Sequence, residues 1–406
     1  MSNIDQHRFN NQRSGFISAR QAAKLLDVKL PTLYAYVSRG LVRSVPGDHD
    51  RRRLYSRADV DRLKARRDAR RGHGAVAAGA LRWGEPVLDS GITQITSDGP
   101  SYRGRLAIEL AANGEPFEAV AELLWTGELP TPTPSPWPSP RRLPSLRTLL
   151  GASAGPCDGL SVAVPICGSR DLDRHSFDLP RARVLVRTMA ASLGGTGDSV
   201  AATLLDALGG RGSKRSIAAM QKALVVIADH ELNVSTFACR VAASTGADLY
   251  ASVSAGLAAL SGPRHGGMCD RVEALLDECG SASVAPRVVR ERTRRGDSVP
   301  GFGHPLYPEG DPRGSLLMAE ATDIAVRSRR VATAAAVAST MARADKGTPN
   351  VDFALVSLAG ALRLRPGAAA VMFAVGRSAG WIAHAIEQRE AGFMLRPRAR
   401  YVSTSD

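Results

Sequence analysis

Aromatic residues are scarce in this 406-residue chain, at 5% against 44% apolar residues overall. Alanine and leucine must therefore supply most of any core, which favours helix over sheet. Cysteine is scarce as well. The five present (Cys157, Cys167, Cys239, Cys269 and Cys279) form no CxxC pair and no metal-ligand spacing. That points away from a metal or disulfide framework and toward reduced thiols in a cytoplasmic protein. The first twenty residues are polar throughout, so no secretory leader is expected. The most apolar stretch, residues 368–386, is interrupted by Arg377 and His384. A bilayer span takes roughly 20 apolar residues and tolerates such groups poorly, so a buried helix of a soluble protein is expected there, with no membrane partner. No internal repeat is present.

Negative charge is what the beginning of the chain lacks. Residues 1–72 hold 17 Lys and Arg against 7 Asp and no Glu, leaving +10 of the total +14. The remaining residues hold 36 against 32 and are nearly balanced. Such asymmetry predicts a basic module joined to a neutral body.

Within that module, Ser18-Ala19-Arg20-Gln21 has capping-box spacing ahead of Ala22, Ala23, Leu25 and Leu26, predicting a short amphipathic helix. After a break at 27–29, Pro31 suits a first helical turn, and a second helix is expected over residues 32–39, closed by Gly40. Leu41-Val42-Arg43 and Arg53-Leu54-Tyr55 flank a Pro-Gly-Asp turn and predict a hairpin, with Ser56 capping a third helix. The order resembles a winged helix-turn-helix of the mercury-resistance-regulator and excisionase type, over residues 15–70. The resemblance implies DNA as a partner. Lys29, Thr32, Tyr34 and Tyr36 would approach the major groove, and Arg39, Arg43, Arg51, Arg52 and Arg53 the phosphates. A solvated basic face docked on its neighbour is the alternative.

Residues 72–79 are small and form a linker, and the prolines of 130–144 exclude helix there. The rest reads as helical. Four short segments stand out: Ala228-Asp229-His230-Glu231-Leu232-Asn233, Gly262-Pro263-Arg264-His265-Gly266-Gly267, Gly301-Phe302-Gly303-His304 with Asp311-Pro312-Arg313, and Asn350-Val351-Asp352-Phe353. In this order and spacing they resemble the active-site motifs of citrate synthases, as does the opening Leu88–Gly104. The resemblance fades over residues 131–220.

It implies an all-α fold behind the helix-turn-helix module. A large helical domain (residues 84–266 and 364–406) would carry an inserted small one (267–363) after a helix-turn-helix domain at 1–72 and a linker at 73–83. It also implies an acyltransferase of the citrate (Si)-synthase type, with oxaloacetate and acetyl-CoA as substrates, coenzyme A as co-substrate and no permanently bound cofactor or metal. Turning a thioester methyl group into a nucleophile takes a base, and Asp352 is the natural one. The thioester oxygen needs a donor as negative charge develops; the resemblance gives that role to His265, and polarisation of the ketone to His304. Anionic substrates call for arginines. Arg313 and Arg377 match two carboxylate ligands, and Arg396 a third that reaches across a homodimer interface. His230 matches a further oxaloacetate contact. The chain departs from the family after His304, where Pro305, Pro308 and Glu309 stand in place of basic residues that help to hold coenzyme A phosphates. A 2-methylcitrate synthase using propionyl-CoA, and a DNA-binding regulator sensing citrate, oxaloacetate or acyl-CoA, are the competing readings.

Overall fold

The computed structural model describes residues 16–26, 28–38, 41–46, 53–57, 59–61, 63, 88–130, 136–146, 149–151, 154–325 and 327–397. The chain divides into two units, one of Met1–Asp89 with Arg396–Asp406, the other of Ser90–Leu395.

In the first unit, β1 (Phe16–Ser18) leads into α1 (Ala19–Leu26) and α2 (Leu30–Ser38). Strands β2 (Ser44–Pro46) and β3 (Arg53–Ser56) complete a sheet of order β1-β3-β2, antiparallel throughout. The expected capping box forms: Ser18 Oγ accepts from the Gln21 backbone at 3.3 Å, and Gln21 Oε1 from the Ser18 backbone at 3.0 Å, satisfying donors that a helix start leaves free. Ser56 Oγ accepts from Asp59 N at 3.3 Å and starts the third helical stretch. Ala22, Ala23, Leu26, Leu33, Val42, Tyr55 and Val60 form the core. The hairpin differs from expectation. Its first strand begins at Ser44 rather than Leu41, because Leu41 N closes α2 on Tyr36 O and Val42 is drawn into the core.

The second unit opens with a small antiparallel sheet, β4 (Thr93–Thr96), β5 (Gly99–Tyr102) and β6 (Arg105–Leu106), where no strand was expected. Helices follow: α3 (Ala107–Ala112), α4 (Phe117–Thr126), α5 (Pro156–Ser169), α6 (Leu179–Ala191), α7 (Val200–Ala207), α8 (Lys214–Val226), α9 (Val234–Ser244) and α10 (Leu249–Leu260). The series continues with α11 (Gly267–Cys279), α12 (Ala285–Arg295), α13 (Pro312–Ile324), α14 (Arg329–Arg343), α15 (Val351–Ala361) and α16 (Ala368–Ala391). Gly127 ends α4 in the left-handed conformation, as a Gly C-cap should. The α11 stripe Val272, Leu275, Leu276 and Cys279 is buried.

The apolar stretch at 368–386 is the core helix α16, long and apolar enough to cross a membrane yet 94% buried within the protein. It packs against α9 and α10. Gly256 of α10 makes the approach close: a Cβ there would lie 2.8 Å from the Trp381 ring. Each large apolar side chain buried in this way contributes about 1.5–3 kcal/mol. All five cysteines are free thiols.

Candidate active site

Two of the motif loops are sewn together. Phe302 and Pro349 form an isolated antiparallel bridge; Asn350 N donates to Gly301 O, and Gly303 N to Thr348 O, both at 2.9 Å. Gly301 has φ +84°, and a Cβ on it would meet Phe353 and Val272 at 2.8 Å, so only glycine fits this crossing. Asn350 caps α15 by accepting from Asp352 N at 3.1 Å and Phe353 N at 3.3 Å. The cap fixes Asp352 in the first helical turn.

Asp311 ties a third element to these two. It caps α13 through Arg313 N, accepts from Arg313 Nε and a terminal guanidinium nitrogen at 2.9 Å each, and takes Val351 N at 3.1 Å. Asp311 and Arg313 are both buried.

The histidines gather around Tyr307. Its hydroxyl lies 2.9 Å from His230 Nε2, its ring 4.9 Å from that of His304, and the Arg313 guanidinium stands 5.3 Å from its centroid. The His230 and His304 rings are 5.3 Å apart. His304 Nδ1 accepts from Leu306 N at 3.1 Å, so the neutral ring carries its proton on Nε2. Burial, with Arg313 beside it, brings the His304 pKa down to about 4. Burial and then Arg377 bring that of His265 to about 4 as well. Burial lowers His230 well below the ordinary histidine value. All three rings are neutral at pH 7.

His265 Nε2 lies 2.8 Å from Ser235 Oγ, a buried hydroxyl that also reaches Asn233 Oδ1 at 2.7 Å and accepts from Trp381 Nε1 at 3.1 Å. The His265 ring stands edge-on to Phe373. Arg377 is 2% exposed. Its Nε donates to Ile227 O at 2.8 Å and its guanidinium covers Phe373 at 4.7 Å. No carboxylate pairs with it among the described residues, and burial lowers its pKa to about 10. A buried arginine without a counter-ion is unfavourable unless an anion comes to it. Burial raises Asp352 to about 6, outweighing Arg313 and Cys269, which lower it.

His230, His265, His304, Arg313, Asp352 and Arg377 are thus brought together, each lying within the field of another. Arg396 is exposed and belongs to the other unit. Sequence reasoning missed Ser235, Tyr307 and the buried group Arg240–His384–Asp229, in which Arg240 donates to His384 Nδ1 at 3.1 Å and His384 Nε2 lies 3.2 Å from Asp229 Oδ2. One signal was available: Arg377 and His384 are seven residues apart, two helical turns, and so share a face of α16.

In the N-terminal unit Lys29, Tyr34 and Arg53 are exposed, and Thr32 is half-buried. Tyr36 packs on the core. Arg43 is exposed as well, and its guanidinium pairs with Asp59: Nε bonds the carboxylate at 2.8 Å and the backbone N bonds it at 3.1 Å. Arg39, Arg51 and Arg52 lie outside the described residues.

Residues 80–398, more than three quarters of the chain, match the model of the citrate synthase C-terminal domain. The chain belongs to the citrate synthase family. Residues 16–68 match a helix-turn-helix domain. Citrate synthase 2 of Bacillus subtilis is 36% identical over 188 residues, 46% of this chain and 50% of that protein; the chain thus spans about half the length of that curated relative. The 2-methylcitrate synthase of Shewanella oneidensis is 28% identical over 354 residues, 79% of this chain and 93% of that one. The citrate synthase of Thermoplasma acidophilum, solved as a ternary complex with carboxymethyl coenzyme A and oxaloacetate, superposes with a TM-score of 0.69 at 25% identity, covering 79% of this chain and 95% of that chain. The citrate synthase-fold neighbour and the helical body agree on fold class.

Proposed function

We propose that this protein condenses a short acyl-CoA with oxaloacetate, releasing coenzyme A and a citrate-type tricarboxylate. The observation that carries the reading is Asp352: a carboxylate with its pKa raised to about 6, among neutral histidines and two buried arginines. Such a group is ionised at pH 7 yet basic enough to take a proton. In this mechanism Asp352 removes a proton from the carbon next to the thioester. His265 donates a hydrogen bond to the thioester oxygen as the enol forms. The enol attacks the ketone of oxaloacetate, whose oxygen receives the His304 Nε2–H. Arg377 and Arg313 bind carboxylates, His230 supplies a further polar contact, and Arg396 serves the partner site of a cytoplasmic homodimer. Water then cleaves the thioester.

Residues 267–363 form, on this reading, the small domain that closes over the substrates and excludes water from the acyl intermediate. Acetyl-CoA and propionyl-CoA both remain candidate donors, since relatives of each kind match and one methylene is worth only about 1–3 kcal/mol of discrimination. The test is thiol release from each thioester with oxaloacetate, in the wild type and in Asp352→Ala. Oxaloacetate-dependent release that disappears in the variant supports the synthase, and the ratio of rates names the acyl group. Release that survives in the variant sinks the assignment of the base.

The helix-turn-helix match and the exposed Lys29, Tyr34 and Arg53 favour a second role in DNA binding. Ligand binding at the synthase site would then alter DNA affinity. Affinity for random-sequence duplex DNA that falls with salt and changes with saturating oxaloacetate plus a coenzyme A analogue supports this; affinity indifferent to both ligands refutes the coupling.

A further inference from the structure

The Asp352 carboxylate is met by a thiol. Cys269 lies in the first turn of α11 and Asp352 in the first turn of α15, and the two helices pack together. Cys269 Sγ is 3.6 Å from Asp352 Oδ1. Cys269 is 1% exposed, and burial followed by the neighbouring Asp352 charge holds its thiol well above the ordinary cysteine value. It therefore remains S–H at neutral pH and donates. No other donor to this carboxylate occurs among the described residues, and Oδ2 receives none.

We propose that Cys269 is a positioning residue for Asp352: its S–H holds Oδ1 and leaves Oδ2 as the oxygen that takes the substrate proton. The proposal rests on the reading of Asp352 as the base. Its chemistry lies in the weakness of the donor. A hydrogen bond to the ionised form lowers a carboxyl pKa, and a base pulled far down loses its pull on a carbon acid. A thiol is a weak donor, so it orients the carboxylate while giving up little basicity. A hydroxyl in its place would orient equally and acidify more; a methyl group would do neither.

The experiment compares wild type, Cys269→Ser and Cys269→Ala in two readouts. The first is the pH profile of kcat/KM. The acid limb should move to higher pH in Cys269→Ala, with kcat falling about tenfold, the worth of a hydrogen bond to a charged group. In Cys269→Ser kcat should recover and the limb should move to lower pH. A merely structural role would lower stability without displacing the limb in opposite directions. The second readout is the infrared S–H stretch, isolated as the difference between wild type and Cys269→Ala. It should shift as the solution is titrated through about pH 6, where Asp352 changes charge. A limb that stays in place in both variants, or an S–H band indifferent to pH, overturns the proposal. Turnover retained by Asp352→Asn would instead overturn the base assignment, and the S–H band separates the two failures because it reports the contact without turnover.

Discussion

Replacing Asp311 with alanine tests whether the site is built around a buried ion pair. The Asp311 and Arg313 side chains are 1% and 2% exposed, and Asp311 accepts from Arg313 N, Arg313 Nε, a terminal Arg313 nitrogen and Val351 N. Asp311→Ala removes a helix cap worth about 1 kcal/mol and strands a buried guanidinium, which costs about 3–5 kcal/mol. The two overlap, since Arg313 takes part in both, so the expected loss is about 4 kcal/mol, a large share of the 5–15 kcal/mol typical of a folded domain. Urea unfolding, read at constant m, measures it. The double variant Asp311→Ala/Arg313→Met should recover much of the loss, because removing both ends of a buried pair is close to neutral. The pair also carries a pH signature. Burial alone would raise the Asp311 pKa, but the Arg313 charge and hydrogen bonds, with His304 and Val351 N, together hold it below the ordinary value. Its contribution is therefore present above the unfolded-state pKa of about 3.9 and is lost as pH falls through the folded-state value. The stability gap between wild type and Asp311→Ala should stay level above about pH 5 and narrow under stronger acid. A loss under about 1 kcal/mol, or no recovery in the double variant, would show that Arg313 is solvated and the reasoning mistaken.

Activity should rise with pH through a single ionisation near 6 as Asp352 loses its proton, then level off; His265 and His304 are already neutral there and add no limb. A limb near 4 instead would mean that the base is an ordinary solvated carboxylate. Arg377→Met should raise KM for oxaloacetate about 10–100-fold, the worth of a hydrogen bond to a charged group, while thermal stability holds; an unchanged KM removes Arg377 from the substrate. Gly256→Ala should destabilise by about 1–3 kcal/mol through overpacking on Trp381, outweighing the usual helix gain of alanine. A variant that melts higher than wild type would contradict that close approach.

Much of this architecture was legible in the chain because it is local. The Ser18 capping box and the burial of 368–386 follow from spacing and composition alone. The four motif segments were legible because glycine and proline isolate them within helical sequence. What escaped depends on contacts between distant residues. Ser235 meets His265 across 30 positions and Tyr307 meets His230 across 77. The pairing of Arg43 with Asp59 was not visible because the two are 16 positions apart, with β2 and β3 between them. The β4–β6 sheet was missed because its strands are two to four residues long, too short for a period-two pattern to emerge.

The sewing of the His304 loop to the Asn350 loop sets how many independent parts the site has. With Phe302 bridged to Pro349 and Asp311 clamped on Val351, three stretches of chain behave as one mechanical piece. His304, Arg313 and Asp352 ride on that piece; His265 is tethered to Ser235 and, through it, to Trp381 of α16. A site assembled this way has one joint to align, where Cys269 of α11 meets Asp352 of α15. A disturbance at that joint would leave the distances within each half intact and change only the gap between them, so its kinetic trace would be the loss of whole encounters rather than the gradual dulling of any one group.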